Sequence, residues 1–467
     1  MLWQTRDPLK AMPSLPRALY GIVLWMAQPW LRAKLARRAK AEALYGEKIE
    51  ERFGHYNAPA ESGAVWVHAV SLGETRAAAI LVAKLRDLMP GMRLLLTHGT
   101  ATGRSEGMAL LRPGDVQVWQ PWDTLGATRR FIAHFKPAIG IVMETEVWPN
   151  LCDAAQSTGV PMVLANARLN ARSARSARRL AWLARPAYAS FSQVWAQTHG
   201  DAERLKTVGA LQVSVQGNLK FDATASAGQV QRGRAWRAAT ARPVVLLASA
   251  REGEEAIFLE HICALAQSNI AQAAIHYGAS ELSNAPDQAA SSGKQAAAHS
   301  APVQWMIVPR HPQRFDAVAE AIAQSGLSVS RRSQWQDTPQ AADVWLGDSL
   351  GEMAVYYGLA DVALLGGSFA PLGGQNLIEA IAAECPVVMG PHTFNFADAA
   401  QTALEQDAAL RVQDMAQGLQ VAVALATDTE RRAAMGAAGA QWLSTSRGAA
   451  QRIAQEVVTM LAQTGAQ

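Results

Sequence analysis

Short apolar runs alternate with longer, helix-like stretches along most of this chain, and the alternation limits the folds open to it. Strands that alternate with helices form parallel sheets, because each helix carries the chain back to the edge where the next strand begins. The sequence therefore predicts an α/β protein with two consecutive doubly wound, Rossmann-like sheets. The runs form two groups, at residues 65–70, 92–97, 116–119, 138–143, 161–165 and 193–196, and at residues 243–248, 304–308, 343–346, 362–365 and 386–389.

Domain boundaries are predicted where this alternation stops and restarts. Two parallel-sheet domains facing a central cleft, with a long helix at the carboxyl end, describe the GT-B architecture of glycosyltransferases. A pair of dehydrogenase domains is the alternative, but neither half has the Gly-x-Gly-x-x-Gly turn of such domains. The predicted layout is a terminal segment at 1–40, a first domain at 41–222, a linker at 223–242, a second domain at 243–430 with a disordered insertion at 271–302, and a helical segment at 431–467 that packs back toward the first domain.

Two glycine-containing turns, one in each half, follow predicted strands and open predicted helices. The first is residues 71–74 (Ser-Leu-Gly-Glu), and the second is residues 366–369 (Gly-Gly-Ser-Phe), with residues 373–376 (Gly-Gly-Gln-Asn) and Glu379 behind it. Ligands of open α/β sheets bind outside the carboxyl ends of the strands, and helix amino ends favour anions. The two turns predict a substrate that carries phosphate.

Three carboxylates in the first half are candidates for acid–base chemistry. Glu74 lies in the first turn of a predicted helix, where its alternative role is to stabilise the helix dipole. Glu144 and Glu146 end a neighbouring strand, where helix capping and sheet-edge hydrogen bonds are the alternative. Carboxylates that lie close together raise one another's pKa, which suits a general base near neutral pH. Glu74 is predicted to take a proton from a hydroxyl nucleophile, with the other two in the same cleft.

Cationic and glycine-rich elements of the second half predict an anion site. Arg310 follows a strand, and its planar guanidinium suits a phosphate. Residues 351–353 and 373–379 follow two further strands, and Glu379 is placed to accept hydrogen bonds from ribose hydroxyls. In the first half, four arginines are spaced for one helix face, which is either solvated or in contact with anionic lipid or substrate phosphate. They are Arg168, Arg172, Arg175 and Arg179.

The amino-terminal segment has an uncharged stretch at residues 18–31. A helix over this stretch rises about 21 Å, less than the roughly 30 Å of a bilayer core. An interfacial anchor and a longer span are therefore both open, and a buried core helix is the third possibility. The basic residues that follow predict that the domains lie on the cytoplasmic face of a membrane. These residues are Arg32, Lys34, Arg37, Arg38 and Lys40.

The charge balance and the histidines narrow the remaining function classes. The net charge of +4 is a mild excess, which is weak evidence for nucleic acid, and we expect no nucleic-acid partner. The expected partner surface is the anionic membrane that the amino-terminal segment predicts. The histidines show no metal-ligand spacing with Asp or Glu, and there is no Walker loop or Gly-x-Ser-x-Gly motif. We expect that no metal or other cofactor is required.

Several of these stretches together resemble a known family, the transferases that add 3-deoxy-D-manno-octulosonic acid (Kdo) during lipid A assembly. The similarity covers nearly the whole chain, and the combination of stretches is highly specific. The matching stretches are residues 67–74, 144–150, 166–169, 308–312, 366–369, 373–380 and 389–396.

The resemblance implies a GT-B enzyme that moves Kdo from CMP-Kdo to the primary hydroxyl of a lipid A precursor (lipid IVA), with inversion, at the cytoplasmic face of the cell inner membrane. Glu74 matches the family's general base. CMP-Kdo is a substrate, and its nucleotide leaves as CMP with its own phosphate, so no metal is implied. The family's CMP contacts match Pro309, Arg310, Gly351, Glu352, Met353, Asn376, Leu377, Ile378 and Glu379. The acceptor-site candidates in the first domain are Ser71, Gly73, Arg76, Glu144, Glu146, Arg168 and Arg172.

The sequence differs from the family pattern at one position, and two other function classes are alternatives to a Kdo transferase. Arg251 stands where the family often has a histidine, in the stretch before Gly253-Glu254-Glu255. A GT-B transferase or epimerase that uses a UDP-sugar is the alternative among enzymes. Outside enzymes, the alternative is a non-catalytic scaffold that binds lipid or phosphate at the membrane.

Overall fold

The computed structural model describes residues 15–58, 60–222, 226–277 and 303–465. They divide into two units, of which the first contains the residues up to 222 and those from 446 onward, and the second contains residues 223–445. The described strands of each unit form one seven-stranded parallel sheet, which confirms the predicted α/β class. Of the predicted insertion at 271–302, residues 271–277 end a described helix, and the rest lies outside the described residues.

The first unit has the strand order β3-β2-β1-β4-β5-β6-β7. Its strands are β1 (Val65–His68), β2 (Leu94–His98), β3 (Val116–Trp119), β4 (Ile139–Met143), β5 (Met162–Ala167), β6 (Gln193–Ala196) and β7 (Val213–Val215). Its helices are α1 (Leu15–Met26), α2 (Gln28–Ala39), α3 (Leu72–Leu88), α4 (Ala101–Met108), α5 (Leu125–Phe135), α6 (Pro149–Ser157), α7 (Ala171–Arg179), α8 (Ala181–Ala189), α9 (His199–Val208) and, from the end of the chain, α18 (Ala449–Gly465).

Side chains of the first sheet alternate between two apolar layers, as the period of two in a strand requires. Val65 and Val67 of β1 pack with α3 and α18, whereas Trp66 packs with Phe131 on the opposite face. The central strands β1, β4 and β5 are buried along their whole length, so each reads as an apolar run that the sequence analysis predicts. Strand β7, at the end of the sheet, is only partly buried, and it was not predicted.

The second unit has the strand order β10-β11-β9-β8-β12-β13-β14. Its strands are β8 (Val244–Ala250), β9 (Gln304–Pro309), β10 (Val329–Arg331), β11 (Val344–Leu346), β12 (Val362–Leu365), β13 (Val387–Met389) and β14 (Ala409–Arg411). Its helices are α10 (Ala227–Ala238), α11 (Glu254–Tyr277), α12 (Phe315–Gln324), α13 (Met353–Leu359), α14 (Ile378–Ala382), α15 (Ala397–Glu405), α16 (Met415–Thr427) and α17 (Thr429–Ser446).

Helix α10 lies in the segment that the sequence predicts as a linker, and it packs closely on α13. The contact runs through glycines, because a Cβ at Gly233 would overlap the carbonyl oxygen of Val355 and a Cβ at Gly358 would overlap that of Val230. Trp236, on the same helix, is buried and donates from Nε1 to the carbonyl oxygen of Asp337 at 2.7 Å. Helix packing at glycines leaves little apolar periodicity to read in the sequence.

The predicted amino-terminal anchor helix is not supported as a membrane span. The uncharged stretch is divided between α1 and α2, and no helix in the described ranges has the length and apolarity needed to cross a bilayer. Helix α1 instead binds the first unit through Arg17, which pairs with Asp153 at 2.6 Å, and Tyr20, which donates to Asp123 Oδ2 at 3.1 Å. The opposite face of the two helices leaves large apolar side chains exposed, which are Leu19, Ile22, Val23, Trp25, Met26 and Trp30.

Candidate active site

In the first unit, the candidate site lies where the strand order of the sheet changes direction. β1 has β2 on one side and β4 on the other. The loops that follow two such strands diverge, and a crevice opens outside their carboxyl ends. Glu74 comes shortly after β1, and Glu144 comes directly after β4. The structure thus brings these two predicted carboxylates to the two sides of one switch point.

Glu74 closes the first turn of α3 through reciprocal hydrogen bonds. The Oγ of Ser71, the N-cap residue, accepts from the backbone N–H of Glu74 at 3.3 Å. In return, Glu74 Oε1 accepts from Ser71 Oγ at 2.9 Å, and Oε2 accepts from the backbone N–H of Val70 at 2.8 Å. This arrangement is a variant of the capping box. Glu74 therefore has the structural role at the helix amino end that is the alternative to a catalytic one. The same bonds hold its half-buried carboxylate in one orientation.

The surroundings of Glu74 shift its protonation toward neutral pH. Burial raises the pKa of Glu74 to about 7, with a further rise from the charges of Glu144 and Glu146, while the bonds from Val70 and Ser71 oppose it. Burial also raises the pKa of Glu146, and the charge of Glu144 adds to this rise. A carboxylate with a pKa near the working pH is suited to general base catalysis.

Glu144 is the most buried of the three carboxylates, and two cations flank it. Its Oε2 lies 3.5 Å from Arg168 Nη2, and its Oε1 lies 3.6 Å from Lys220 Nζ. The backbone of Glu144 is left-handed, with φ of 54°. The negative charge of Glu144 is therefore balanced within the unit. Lys220 was not predicted, because it lies in a short turn after β7 with no motif around it.

Asn166 holds this group of loops together. It is fully buried at the end of β5, with φ of 52°. Its Oδ1 accepts from the backbone N–H of Leu219 at 3.0 Å, and its carbonyl oxygen accepts from Gln197 Nε2 at 2.9 Å. Asn166 thereby fixes the turn that carries Lys220. The sequence analysis included Asn166 only within the matching stretch 166–169. Its structural role was not predicted, because its hydrogen bonds connect residues that lie far apart in the chain.

The remaining acceptor-site candidates lie outside this charged group. Arg76 pairs with Glu106 of α4, Nε to Oε1 at 2.8 Å, at an exposed position. Gly73 is exposed at the start of α3, and Arg172 is exposed on α7. The prediction that Arg168 shares a helix face with Arg172 is wrong, because α7 begins after Asn170, whose side chain caps it.

In the second unit, the corresponding switch point lies between β8 and β12. β8 has β9 on one side and β12 on the other. Glu254, which is 1% exposed, links the two loops that follow these strands. Its Oε2 accepts from the backbone N–H groups of Arg251 at 2.9 Å and Gly367 at 2.7 Å, and its Oε1 accepts from that of Phe369 at 3.1 Å. Sequence reasoning assigned no role to Glu254.

In the predicted glycine turn of the second unit, the segment at residues 373–376 packs against the segment at residues 366–369 through backbone hydrogen bonds. The N–H of Gly374 donates to the carbonyl oxygen of Gly367 at 2.8 Å, and that of Gln375 donates to Gly366 at 3.1 Å. Gly367, Gly373 and Gly374 have φ between 72° and 89°, a region that other residues seldom adopt. A Cβ at Gly366 would overlap the carbonyl oxygen of Ser249. Glycine is therefore required for the loops after β8 and β12 to approach this closely.

The predicted nucleotide-binding residues lie along the same edge of the second sheet. Arg310 follows Pro309 at the end of β9, and its Nε donates to Gln375 Oε1 at 3.1 Å. Asn376 lies just before α14, and its Oδ1 accepts from the backbone N–H of Ile378 at 3.1 Å. Its Nδ2 donates to Glu379 Oε1 at 3.0 Å. The Arg310 and Asn376 groups are thus joined through the glycine turn.

Residues 351–353 reach this edge from β11, which neighbours β9. Glu352 Oε1 accepts from Arg332 Nη2 at 3.0 Å, and its Oε2 accepts from Ser349 Oγ at 2.5 Å. The Sδ of Met353 lies 3.9 Å from Ser249 Oγ, in the strand that borders the switch point. In the part of the chain that the structure describes, no three His, Cys, Asp or Glu side chains form a metal-binding group.

Comparison with known proteins agrees with this architecture. A family model described as 3-Deoxy-D-manno-octulosonic-acid transferase (kdotransferase) matches residues 47–223. The fold resembles the crystal structure of UDP-GlcNAc 2-epimerase from Neisseria meningitidis bound to UDP-GlcNAc, with a TM-score of 0.51 and 15% identity over 86% of this chain and 100% of that one. At this identity the likeness concerns the fold alone, and it supports the GT-B class for the two Rossmann-like units.

Two curated relatives match over almost their full length. The 3-deoxy-D-manno-octulosonic acid transferase of Bordetella pertussis is 45% identical over 93% of this chain and 97% of the relative. The protein of the same name from Haemophilus influenzae is 31% identical over 94% of this chain and 97% of the relative. Identity of this extent, together with the matching family model, means that the chain belongs to the 3-deoxy-D-manno-octulosonic acid transferase family of glycosyltransferases.

Proposed function

We propose that this protein transfers Kdo from CMP-Kdo to the primary hydroxyl of a lipid A precursor, lipid IVA, with inversion at the anomeric carbon. Family membership supports the transfer of Kdo. The observation that carries the chemical assignment is the half-buried carboxylate of Glu74 at a sheet switch point, where burial raises its pKa to about 7. Such a carboxylate is a stronger base than one on the surface, and it is still ionised in a large fraction of molecules at neutral pH.

The proposed reaction is a single displacement. The acceptor hydroxyl gives its proton to Glu74 while its oxygen bonds to the anomeric carbon of Kdo, and the bond from that carbon to the phosphate oxygen of CMP breaks. Ser71 and Val70 hold the carboxylate in place. Arg168 and Lys220 are two cations beside the single carboxylate of Glu144, and the positive charge that remains suits an anionic group of the acceptor. Displacement in one step inverts the configuration of the carbon.

The second unit is proposed to hold the donor. Arg310 and the backbone N–H groups of the glycine turn suit the phosphate of CMP, and Glu379 suits the ribose hydroxyls. The leaving group departs as CMP, whose single phosphate can be met by these groups. We therefore propose that the reaction needs no metal ion, which is tested by measuring transfer in the presence of a chelator.

The protein is proposed to act at the cytoplasmic face of the inner membrane. Trp25 and Trp30 are 66% and 59% exposed on α1 and α2, and aromatic side chains of this kind favour the membrane interface. The basic residues of α2 lie beside them and suit anionic lipid headgroups. Both helices bind the first unit, so an interfacial attachment would bring the acceptor-binding unit to the membrane surface.

The central test is the substitution Glu74→Gln, which keeps the shape of the side chain and removes its basicity. The protein is incubated with CMP-Kdo and a tetraacylated disaccharide phosphate, and the mass of the product is determined by mass spectrometry. We expect the wild-type chain to add Kdo and the variant to be slower by about 10²- to 10⁴-fold, with CMP affinity unchanged. Glu203→Gln, an exposed position on α9, is the matched control and should retain full activity.

Each alternative gives a different result in the same experiment. A Glu74→Gln variant within a few-fold of the wild-type rate would remove the assignment of the base. A wild-type chain that transfers no Kdo but turns over UDP-GlcNAc would favour the UDP-sugar alternative. Binding of the lipid and CMP without any product, in the wild-type chain and the variant alike, would favour a scaffold.

A further inference from the structure

The loop after β8 presents an arginine that the proposed function has not used. Arg251 is partly buried beside the switch point of the second unit. A Cβ at Gly367 would lie 3.5 Å from Arg251 Cγ and 3.1 Å from Gln375 Nε2. Gln375 in turn accepts from Arg310 through Oε1. Arg251 and Gln375 therefore both lie close to Gly367, where a side chain would crowd them, and Gln375 connects this position to Arg310.

Three acidic residues follow Arg251, of which Glu252 is exposed and Glu255 has two buried carboxylate oxygens without a hydrogen-bond partner in the part of the chain that the structure describes. The carboxylate of Glu254 accepts from three backbone N–H groups, and Glu255 is paired with Arg314, Oε2 to Nη2 at 3.7 Å. Within the described residues, the buried Nε of Arg251 has no hydrogen-bond partner. A buried donor without a partner is costly unless a ligand or water satisfies it. The Nε of Arg251 is therefore available to an anionic ligand.

The positive charges of Arg251 and Arg310 also affect the side chain of His311. Burial, and then the charges of Arg251 and Arg310, lower the pKa of His311 below its usual value, while Glu252 opposes the shift. Two guanidinium groups thus act on one region at the ends of β8 and β9. These loops are also bonded directly, because the backbone N–H of Arg310 donates to the carbonyl oxygen of Ala250 at 2.9 Å.

We propose that Arg251 recognises the carboxylate of the sugar acid in CMP-Kdo, while Arg310 and the glycine turn recognise its phosphate. The inference rests on the proposed function, since it assumes this donor. In CMP-Kdo the carboxylate and the phosphate oxygen are attached to the same carbon, so the two anionic groups are only a few bonds apart. Adjacent strands are about 4.8 Å apart, which suits one guanidinium for each group. A nucleotide sugar without a carboxylate would leave Arg251 unpaired, so Arg251 is a specificity residue.

The test compares CMP, which lacks the carboxylate, with intact CMP-Kdo. Calorimetric titration of Arg251→Ala should give CMP affinity within about twofold of the wild-type chain, and CMP-Kdo affinity weaker by about 10- to 100-fold, as loss of a hydrogen-bonded charge predicts. Arg251→Lys should recover part of this loss, since it keeps the charge but not the two-pronged geometry. In steady-state kinetics, the KM for CMP-Kdo should rise more than kcat falls.

Arg234→Ala is the matched control in the same unit. Arg234 pairs with Glu384, which precedes β13, and so lies at the opposite edge of the sheet. This variant should bind both ligands normally. Thermal unfolding of each variant checks that the fold is intact.

The possible outcomes separate this inference from the function beneath it. If Arg251→Ala weakens CMP and CMP-Kdo equally, Arg251 holds the phosphate and the inference is overturned. If neither ligand is weakened while the wild-type chain transfers Kdo, the inference is overturned and the proposed function stands. If the wild-type chain does not bind CMP-Kdo at all, both are overturned.

Discussion

Glu74 has two roles that place opposite demands on its charge. As the residue that closes the first turn of α3, it is favoured as an anion that accepts from Val70 and Ser71. As a half-buried group next to Glu144 and Glu146, it is favoured as a neutral acid. The pKa of Glu74 is raised, which shows that the second effect is larger than the first. The residue therefore holds a fixed orientation and still exchanges a proton near neutral pH.

The first prediction concerns the dependence of activity on pH. A general base works only when it is deprotonated, and the pKa of Glu74 is raised to about 7. We expect kcat/KM to rise about tenfold per pH unit below this pKa and to level off above it. The measurement is the initial rate of Kdo transfer between pH 5 and 9. A profile that is flat between pH 5 and 7 would contradict the role of Glu74.

The second prediction concerns stability, and its sign follows from the same pKa. The folded pKa of Glu74 lies above the unfolded value of 4.5, so the folded state binds more protons between these values. Stability is therefore lost as the pH rises through this window. Glu74→Gln removes this loss, so it should raise the melting temperature at pH 8, by about 2–4 °C for each kcal/mol gained. At pH 5 the gain should be smaller, and Glu203→Gln should show no such difference.

At the scale of elements, the exposed face of α1 and α2 allows the third prediction. Ile22→Glu combined with Trp25→Glu replaces two exposed apolar side chains. Binding to vesicles that contain anionic lipid should weaken by about tenfold or more, as the apolar area that can be buried in the lipid is lost. Leu211→Glu changes a residue that is 70% exposed elsewhere in the first unit and should have little effect. Equal losses in both proteins would argue against a specific membrane-binding face.

The fourth prediction concerns the glycine contact between α10 and α13. Gly233→Ala places a methyl group against the carbonyl oxygen of Val355, and such overpacking costs about 1–3 kcal/mol. Gly228→Ala on the same helix meets no atom within 4 Å, so it should be neutral or stabilising by up to about 1 kcal/mol. Urea unfolding of the two variants measures the difference. If both substitutions have the same effect, the close packing of the two helices is not needed for stability.

Elements were predictable from the sequence where burial is continuous along the chain. β1 and β4 are covered on both faces, so their residues form apolar runs, and the glycine turns after β1 and β12 mark where those strands end. Helix α10 was not predictable in this way, because its packing depends on the absence of a side chain at Gly233. The Glu144–Lys220 pair and the bonds of Glu254 were missed for another reason. They connect residues far apart in the chain, and only the folded sheet brings them together.

At the scale of the whole molecule, the first unit is completed by the last helix of the chain. Asp222 accepts from the backbone N–H groups of Gly448 at 2.5 Å and Ala450 at 2.6 Å, and thus caps the start of α18. Ile453 and Val457 of this helix are fully buried against the sheet and α3. The chain therefore leaves the first unit at residue 222 and returns to it after the second unit is made. Folding of the first unit requires residues that are synthesised last.

The fifth prediction follows from this topology. Deleting residues 449–467 exposes the apolar surface of α3 and β1 that α18 covers. Removing even one large buried aliphatic side chain costs about 2–5 kcal/mol, so removing the whole helix costs an amount comparable to the total stability of a domain. We expect the truncated chain to lose the unfolding transition of the first unit in calorimetry, together with Kdo transfer. The second unit contains none of the deleted residues, so CMP binding should remain.

The control for this deletion is the full-length variant Gln455→Ala, which changes an exposed residue on the same helix and should keep both unfolding transitions. The deletion removes the buried residues Ile453 and Val457 along with the rest of α18, whereas the control leaves them in place. A truncated chain that still melts and transfers Kdo like the full-length protein would show that the first unit is stable without its carboxyl-terminal helix.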